Sequence, residues 1–209
     1  MRALKRLLVA ATATGVLVGA AAGTASAATS GSQSSQGAAV WLTGGQTTVT
    51  TAPGIAGALL KNDIVPIATL PGSEGAGSNK GGVYVQFGFP VTGGTVNLAK
   101  LTGTIDHQGG ILFIDPATGK QIAVSGFDIN VGQGDLTALV NGNPKVRVPL
   151  FSLGLGHAKI IVSRHAVKIS GIVVRLTKTA AGALDATFGT KLFTAGLELG
   201  TATTLIRHR

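Results

Sequence analysis

The sequence predicts an all-β fold, an antiparallel β-sandwich carrying one or two short helical turns, and two observations predict it. Segments with an apolar residue at every second position recur along the chain, as in Val83, Val85, Phe87 and Phe89 with Tyr84, Gln86 and Gly88 between them. Turn signals rich in Gly, Asn and Pro separate these segments at short intervals, the spacing of a sheet protein. With 32 Gly and no Cys, the fold has to rest on packing and backbone pairing, without disulfides or cysteine metal clusters.

The chain opens with Met1, Arg2, Ala3, Leu4, Lys5 and Arg6, then an apolar run from Leu7 to Ala22, then Ala25, Ser26 and Ala27. A basic start, an apolar stretch and small residues at the cleavage position read as a secretory signal peptide over residues 1–27. The protein is therefore expected outside the cell, secreted or loosely associated with the cell wall, with no transmembrane anchor once the signal is removed. Losing Arg2, Lys5 and Arg6 leaves 14 basic side chains against 8 acidic ones, a net charge of +6. The basic residues are spread one or two per segment, which suits solvent-facing strand positions and an anionic envelope; it is not a phosphate-binding patch, so no nucleic-acid partner is expected.

Residues 28–37 are Ala, Thr, Ser, Gly and Gln, too small and polar to repay ordering, and read as a flexible leader. A single β-rich domain then spans 38–209. Within it, 39–43 and 46–50 around Gly44 and Gly45 suggest a hairpin. Pro53 fixes the backbone near a helix start, and Ile55, Ala56, Leu59 and Leu60 fall on one helical face before Asn62 and Asp63. Pro66 places 64–70 at a sheet edge. Residues 71–82, from Pro71 to Gly82, hold no core-forming side chain and read as the longest mobile loop.

Further strands are expected at 83–89, 102–106, 110–115, 121–130, 136–140 and 146–150. The inward phase changes at Gly126, between Ile122/Val124 and Phe127/Ile129, and again at Ser170 and Gly171; one extra residue at each place predicts two β-bulges. Ala56-Gly57-Ala58-Leu59 and Ala181-Gly182-Ala183-Leu184 each follow a threonine-rich strand end, which suggests a strand, helical turn, strand unit at both ends of the domain.

Phe89-Pro90-Val91-Thr92-Gly93-Gly94-Thr95-Val96, with the run from Leu101 to Gly110, resembles the middle of the HtaA domain of secreted and surface actinobacterial haem-uptake proteins. Val174-Arg175-Leu176-Thr177, Ala180 to Leu184 and Phe193 to Leu197 resemble its closing segment. The resemblance implies a β-rich module of the cell envelope and, as the alternative function, a haem-binding carrier in iron acquisition. Family members that bind haem use a tyrosine near the domain start, helped by a histidine. Here Trp41 has no such tyrosine after it, and Tyr84 stands in another segment.

No Gly-x-Ser-x-Gly, Walker or dinucleotide motif occurs in the mature chain, and Asp115, Asp128, Asp135 and Asp185 are scattered, so no catalytic residue is assigned and the protein is read as not an enzyme. His107, His157, His165 and His208 lack the spacing of a metal site. Trp41, Tyr84 and His107 are the polar-tipped side chains expected at the edge of a pocket. The primary reading is a secreted noncatalytic binding or structural module. Its partner is an unidentified small ligand or cell-envelope component, and it has no resident cofactor unless haem is that ligand.

Overall fold

The computed structural model describes residues 39–209; the expected signal peptide, 1–27, and expected leader, 28–37, lie outside the described residues. Twelve strands and two helices follow in the order β1 (Ala39–Thr51), α1 (Ile55–Lys61), β2 (Val65–Thr69), β3 (Ser73–Asn79), β4 (Gly82–Asn97), β5 (Thr102–His107), β6 (Gly110–Ile114), β7 (Gln121–Asn130), β8 (Asp135–Val140), β9 (Asn143–Gly154), β10 (Lys159–Val162), β11 (Ala166–Leu176), α2 (Lys178–Phe188) and β12 (Glu198–His208).

The strands close into a barrel, which corrects the sandwich expected from the sequence. Eight antiparallel strands form the ring in the order β7, β5, β4, β1, β12, β11, β9 and β8, and β8 pairs with β7 to complete it. A sandwich and a barrel share the same in-out alternation, so periodicity could not separate them. Closure depends on β7 having two partners. Its second half pairs with β5 through Asp106 and Asp128, while its other edge pairs with β8 from Val124 opposite Val140 to Asn130 opposite Asp135.

The bulge at Gly126 makes this geometry. The β7–β8 register shifts between Ser125 and Asp128, and Gly126 sits at φ 58°, so Ile122 and Val124 before it and Phe127 and Ile129 after it all face inward. The second expected bulge is also present, between Ser170 and Ile172 on β11. Pro66 does lie on an edge strand, since among the described residues β2 pairs only with β6.

Two local expectations fail for one reason: backbone pairing does not require core side chains. Gly44 and Gly45 do not turn the chain but form a bulge within the continuous strand β1, where the register to β12 shifts between Leu42 and Gly44. Residues 73–79 form strand β3, paired with 82–88 of β4, with Asn79 Oδ1 accepting from the Gly81 amide at 2.7 Å in the turn. Gly45 has φ 134°, and a Cβ there would collide with the Leu205 carbonyl. Gly45→Ala is therefore expected to cost about 3 kcal/mol, measurable by urea unfolding.

Both Ala-Gly-Ala-Leu segments are helical. In α1 the buried residues are Ala56 and Leu59. In α2 the Thr177 hydroxyl accepts from the Ala180 amide at 3.1 Å, Ala180, Ala181, Leu184 and Phe188 are buried, and Gly189 ends the helix at φ 69°. Leu59 and these α2 residues pack with Ile64, Phe87, Phe89, Val124 and Phe127 in one core cluster, while Val91, Ile105, Ile129, Val167, Ile169 and Ile206 belong to a second.

Candidate functional site

The barrel interior is not filled by its own side chains. A chamber of about 500 Å³ runs through it, walled by Val49 of β1, Phe87 and Phe89 of β4, Phe127 and Ile129 of β7, Leu136 of β8, Phe151 of β9, Val174 of β11 and Ala202 of β12. Such a space is too large for a packing defect and falls in the size range of small-molecule sites.

Three buried polar side chains interrupt the apolar wall. His107, 5% exposed, ends β5; Thr47 and Thr204, 5% and 1% exposed, face each other across the β1–β12 ladder. Thr47 Oγ1 lies 2.7 Å from His107 Nε2 and 3.0 Å from Thr204 Oγ1. All three line the chamber. Burial holds the His107 pKa down to about 4, against a smaller upward pull from the Ile105 and Phe127 carbonyls and from Asp128, so the ring is neutral at physiological pH. Its Nδ1 is buried without a partner in hydrogen-bond geometry. Thr47 and Thr204 were missed in the sequence reading. Their signal was phase: Thr204 shares the inward register of Ala202 and Ile206, and a polar residue on an inward phase marks either a satisfied pair or a site.

The three pocket-edge residues expected from sequence are not assembled. His107 lines the chamber. Trp41 is 73% exposed at the far end of β1, opposite Thr95 of β4. Tyr84 is half-buried opposite Gly77 of β3 and does not line the chamber, although its neighbours Val83 and Val85 do. Among the described residues Glu74 of β3 is the one charged residue lining the chamber, and it is exposed, as are the lining residues Leu60 and Val83.

The remaining candidates have local roles. Asp115 accepts from the Ala117 and Thr118 amides in its turn, and Asp185 Oδ1 accepts from the Thr190 hydroxyl at 2.9 Å and the Phe193 amide at 3.1 Å, holding the chain after α2. His165 occupies the β10–β11 turn. Among the described residues, no group of three or more His, Asp or Glu could hold a metal ion.

A closed eight-stranded barrel around an apolar chamber defines the structural class, and solved structures give it a counterpart. The C-terminal domain of HtaA from Corynebacterium glutamicum is 19% identical, covers 80% of this chain and 98% of that chain, and has a TM-score of 0.55. A domain-swapped dimer variant of that domain is 22% identical over 74% of this chain and 88% of that chain, with a TM-score of 0.49. The haem-binding protein HtaB from the same organism is 11% identical over 82% and 98%, with a TM-score of 0.47. The chain has a distant HtaA-like fold. No protein-family model and no curated protein sequence matches it.

The sequence resemblance to a haem-uptake family raises haem as a candidate, and the chamber residues allow a test. They offer one neutral imidazole and apolar walls suited to the faces of a macrocycle. Among the described residues they offer no phenol and no cation for its carboxylates, and the charged group at the rim, Glu74, is negative. This set fits a neutral apolar molecule more closely than a porphyrin dicarboxylate.

Proposed function

We propose that the protein is an exported, noncatalytic binding module that carries one small, neutral, apolar molecule inside its barrel, loosely held at an anionic cell envelope by its net basic surface. The observation that carries this reading is the 500 Å³ apolar chamber with a single buried polar cluster. A few fixed polar groups in an otherwise apolar cavity orient a ligand without reacting with it. The Thr47 hydroxyl does lie beside the His107 imidazole, but among the described residues no carboxylate orients the ring through Nδ1 and no cluster of acids faces the space, which supports carriage over chemistry. No helix among the described residues is long and apolar enough to cross a membrane.

A haem-binding carrier is the second reading, and His107 favours it: a neutral imidazole inside the chamber is the form that binds iron. Parallel titrations of the mature protein, residues 28–209, separate the two. N-phenyl-1-naphthylamine, a neutral apolar fluorophore, is expected to brighten and saturate at one equivalent. Haemin is expected to give no saturable Soret shift; a one-to-one shift lost in His107→Ala would install the haem reading instead. If neither compound saturates, the carrier function is wrong.

A further inference from the structure

We propose that the seam between β2 and β3 is the side door of the chamber and that the Glu74 carboxylate is its latch. This inference rests on the carrier reading and assigns the ligand's route.

The seam arises because β5 spans only part of the gap between β4 and β7. Over 91–97, β4 pairs with β5; over 82–88 the same edge of β4 pairs with β3. Likewise β7 pairs with β5 over 128–130 and with β6 over 121–125, and β6 carries β2 on its outer side. Above His107, the barrel wall therefore ends in two free edges, β2 and β3, which share no ladder among the described residues.

Sequence chemistry keeps these edges apart. The Ala68 amide points away from β6, toward β3, where it donates to Glu74 Oε2 at 2.6 Å. Backbone N–H groups two residues apart on a strand point the same way, so the nitrogen of residue 66 also faces β3. That residue is Pro66, which has no N–H to give. One backbone donor is thus missing from the seam, and a side chain closes what a ladder would otherwise zip. A single exposed hydrogen bond opens far more readily than a strand pair.

Both banks of the seam line the chamber: Val65 and Pro66 on one side, Glu74 and Ala76 on the other. Leu60 of α1, which precedes β2, and Val83 of β4, which pairs with Ser78 of β3, also line the chamber and are 59% and 58% exposed, so they carry its apolar wall out to solvent. An apolar molecule passing there stays in contact with apolar surface along the route. None of the eight ring pairings has to break for it to enter.

The test uses stopped-flow uptake and release of N-phenyl-1-naphthylamine by the mature protein, together with amide hydrogen exchange at Ala68, which requires no ligand. Glu74→Ala is expected to raise both probe rates and the Ala68 exchange rate about fivefold, the equivalent of about 1 kcal/mol for one exposed hydrogen bond. Glu74→Gln, whose amide oxygen still accepts, should fall between wild type and Glu74→Ala. Pro66→Val, which restores the missing donor, should slow both probe rates. Unchanged Ala68 exchange in Glu74→Ala overturns the latch. So does faster Ala68 exchange with probe rates unmoved, because the seam would then open without serving as the door. If wild type takes up no probe at all, the carrier reading fails on that result, and the side door falls with it even where Ala68 exchange responds.

Discussion

Lowering the pH from 7 to 4 is expected to remove roughly 3 kcal/mol of stability through one residue, His107. Burial holds its folded-state pKa at about 4, against an ordinary value of 6.5. Between these values the unfolded chain binds a proton that the folded chain refuses. The stabilisation is therefore complete above about pH 6.5 and is lost progressively as the pH falls toward 4. In His107→Phe the ring can no longer take up a proton in the unfolded state, while Thr47 keeps its bond to Thr204. Its unfolding free energy should lose this slope. Asp106, held above the ordinary carboxylate range by burial first and by Asp128 second, works in the opposite sense at the acid end. The difference between wild type and His107→Phe across pH 4–7, from urea unfolding, isolates the histidine. Parallel curves for the two proteins would mean that His107 is solvated or charged in the folded state.

The second large effect is on binding. Ala202 is 5% exposed and lines the chamber two residues before Thr204 on the inward face of β12. Ala202→Phe places a ring in the ligand's space and is expected to weaken uptake of N-phenyl-1-naphthylamine at least tenfold. Its cost to the fold should fall below the usual range of about 1–3 kcal/mol for adding volume to a well-packed core, because the volume enters an existing cavity. An unaltered circular dichroism spectrum with lost binding places the ligand inside the barrel. Unaltered binding would place it outside.

Much of the wall was legible in the sequence, because alternation reports which face of a strand is inward whatever the sheet's closure. Gly126 and Gly171 announced their bulges through the phase change on either side. Pro66 announced an edge, and the Ala-Gly-Ala-Leu segments announced both helices. What alternation does not encode is pairing between distant strands, so the β1–β12 contact, without which the ring stays open, was invisible. Residues 73–79 were read as loop because their side chains pack nothing, yet β4 gives their backbone a partner.

The site was only partly legible for the same reason. His107 stood out by its chemistry and does reach the chamber. Trp41 and Tyr84 stood out equally, but register sends one to an exposed strand end and the other onto the β3–β4 ladder. Thr47 and Thr204, separated by 157 residues, meet only because β1 lies beside β12. The chamber itself is a property of packing and leaves no local mark on the sequence.

The most direct test of the central claim is a methyl NMR titration of the mature protein with N-phenyl-1-naphthylamine. A ligand carried inside the barrel predicts shifts at Ala202, Val174, Leu136 and the methyls of Thr47 and Thr204, complete at one equivalent, with Ile160, Ile161 and Val162 on the outer strand β10 unmoved. Shifts confined to β10 and other exposed methyls, or none that saturate, would contradict it and leave the chamber without a ligand.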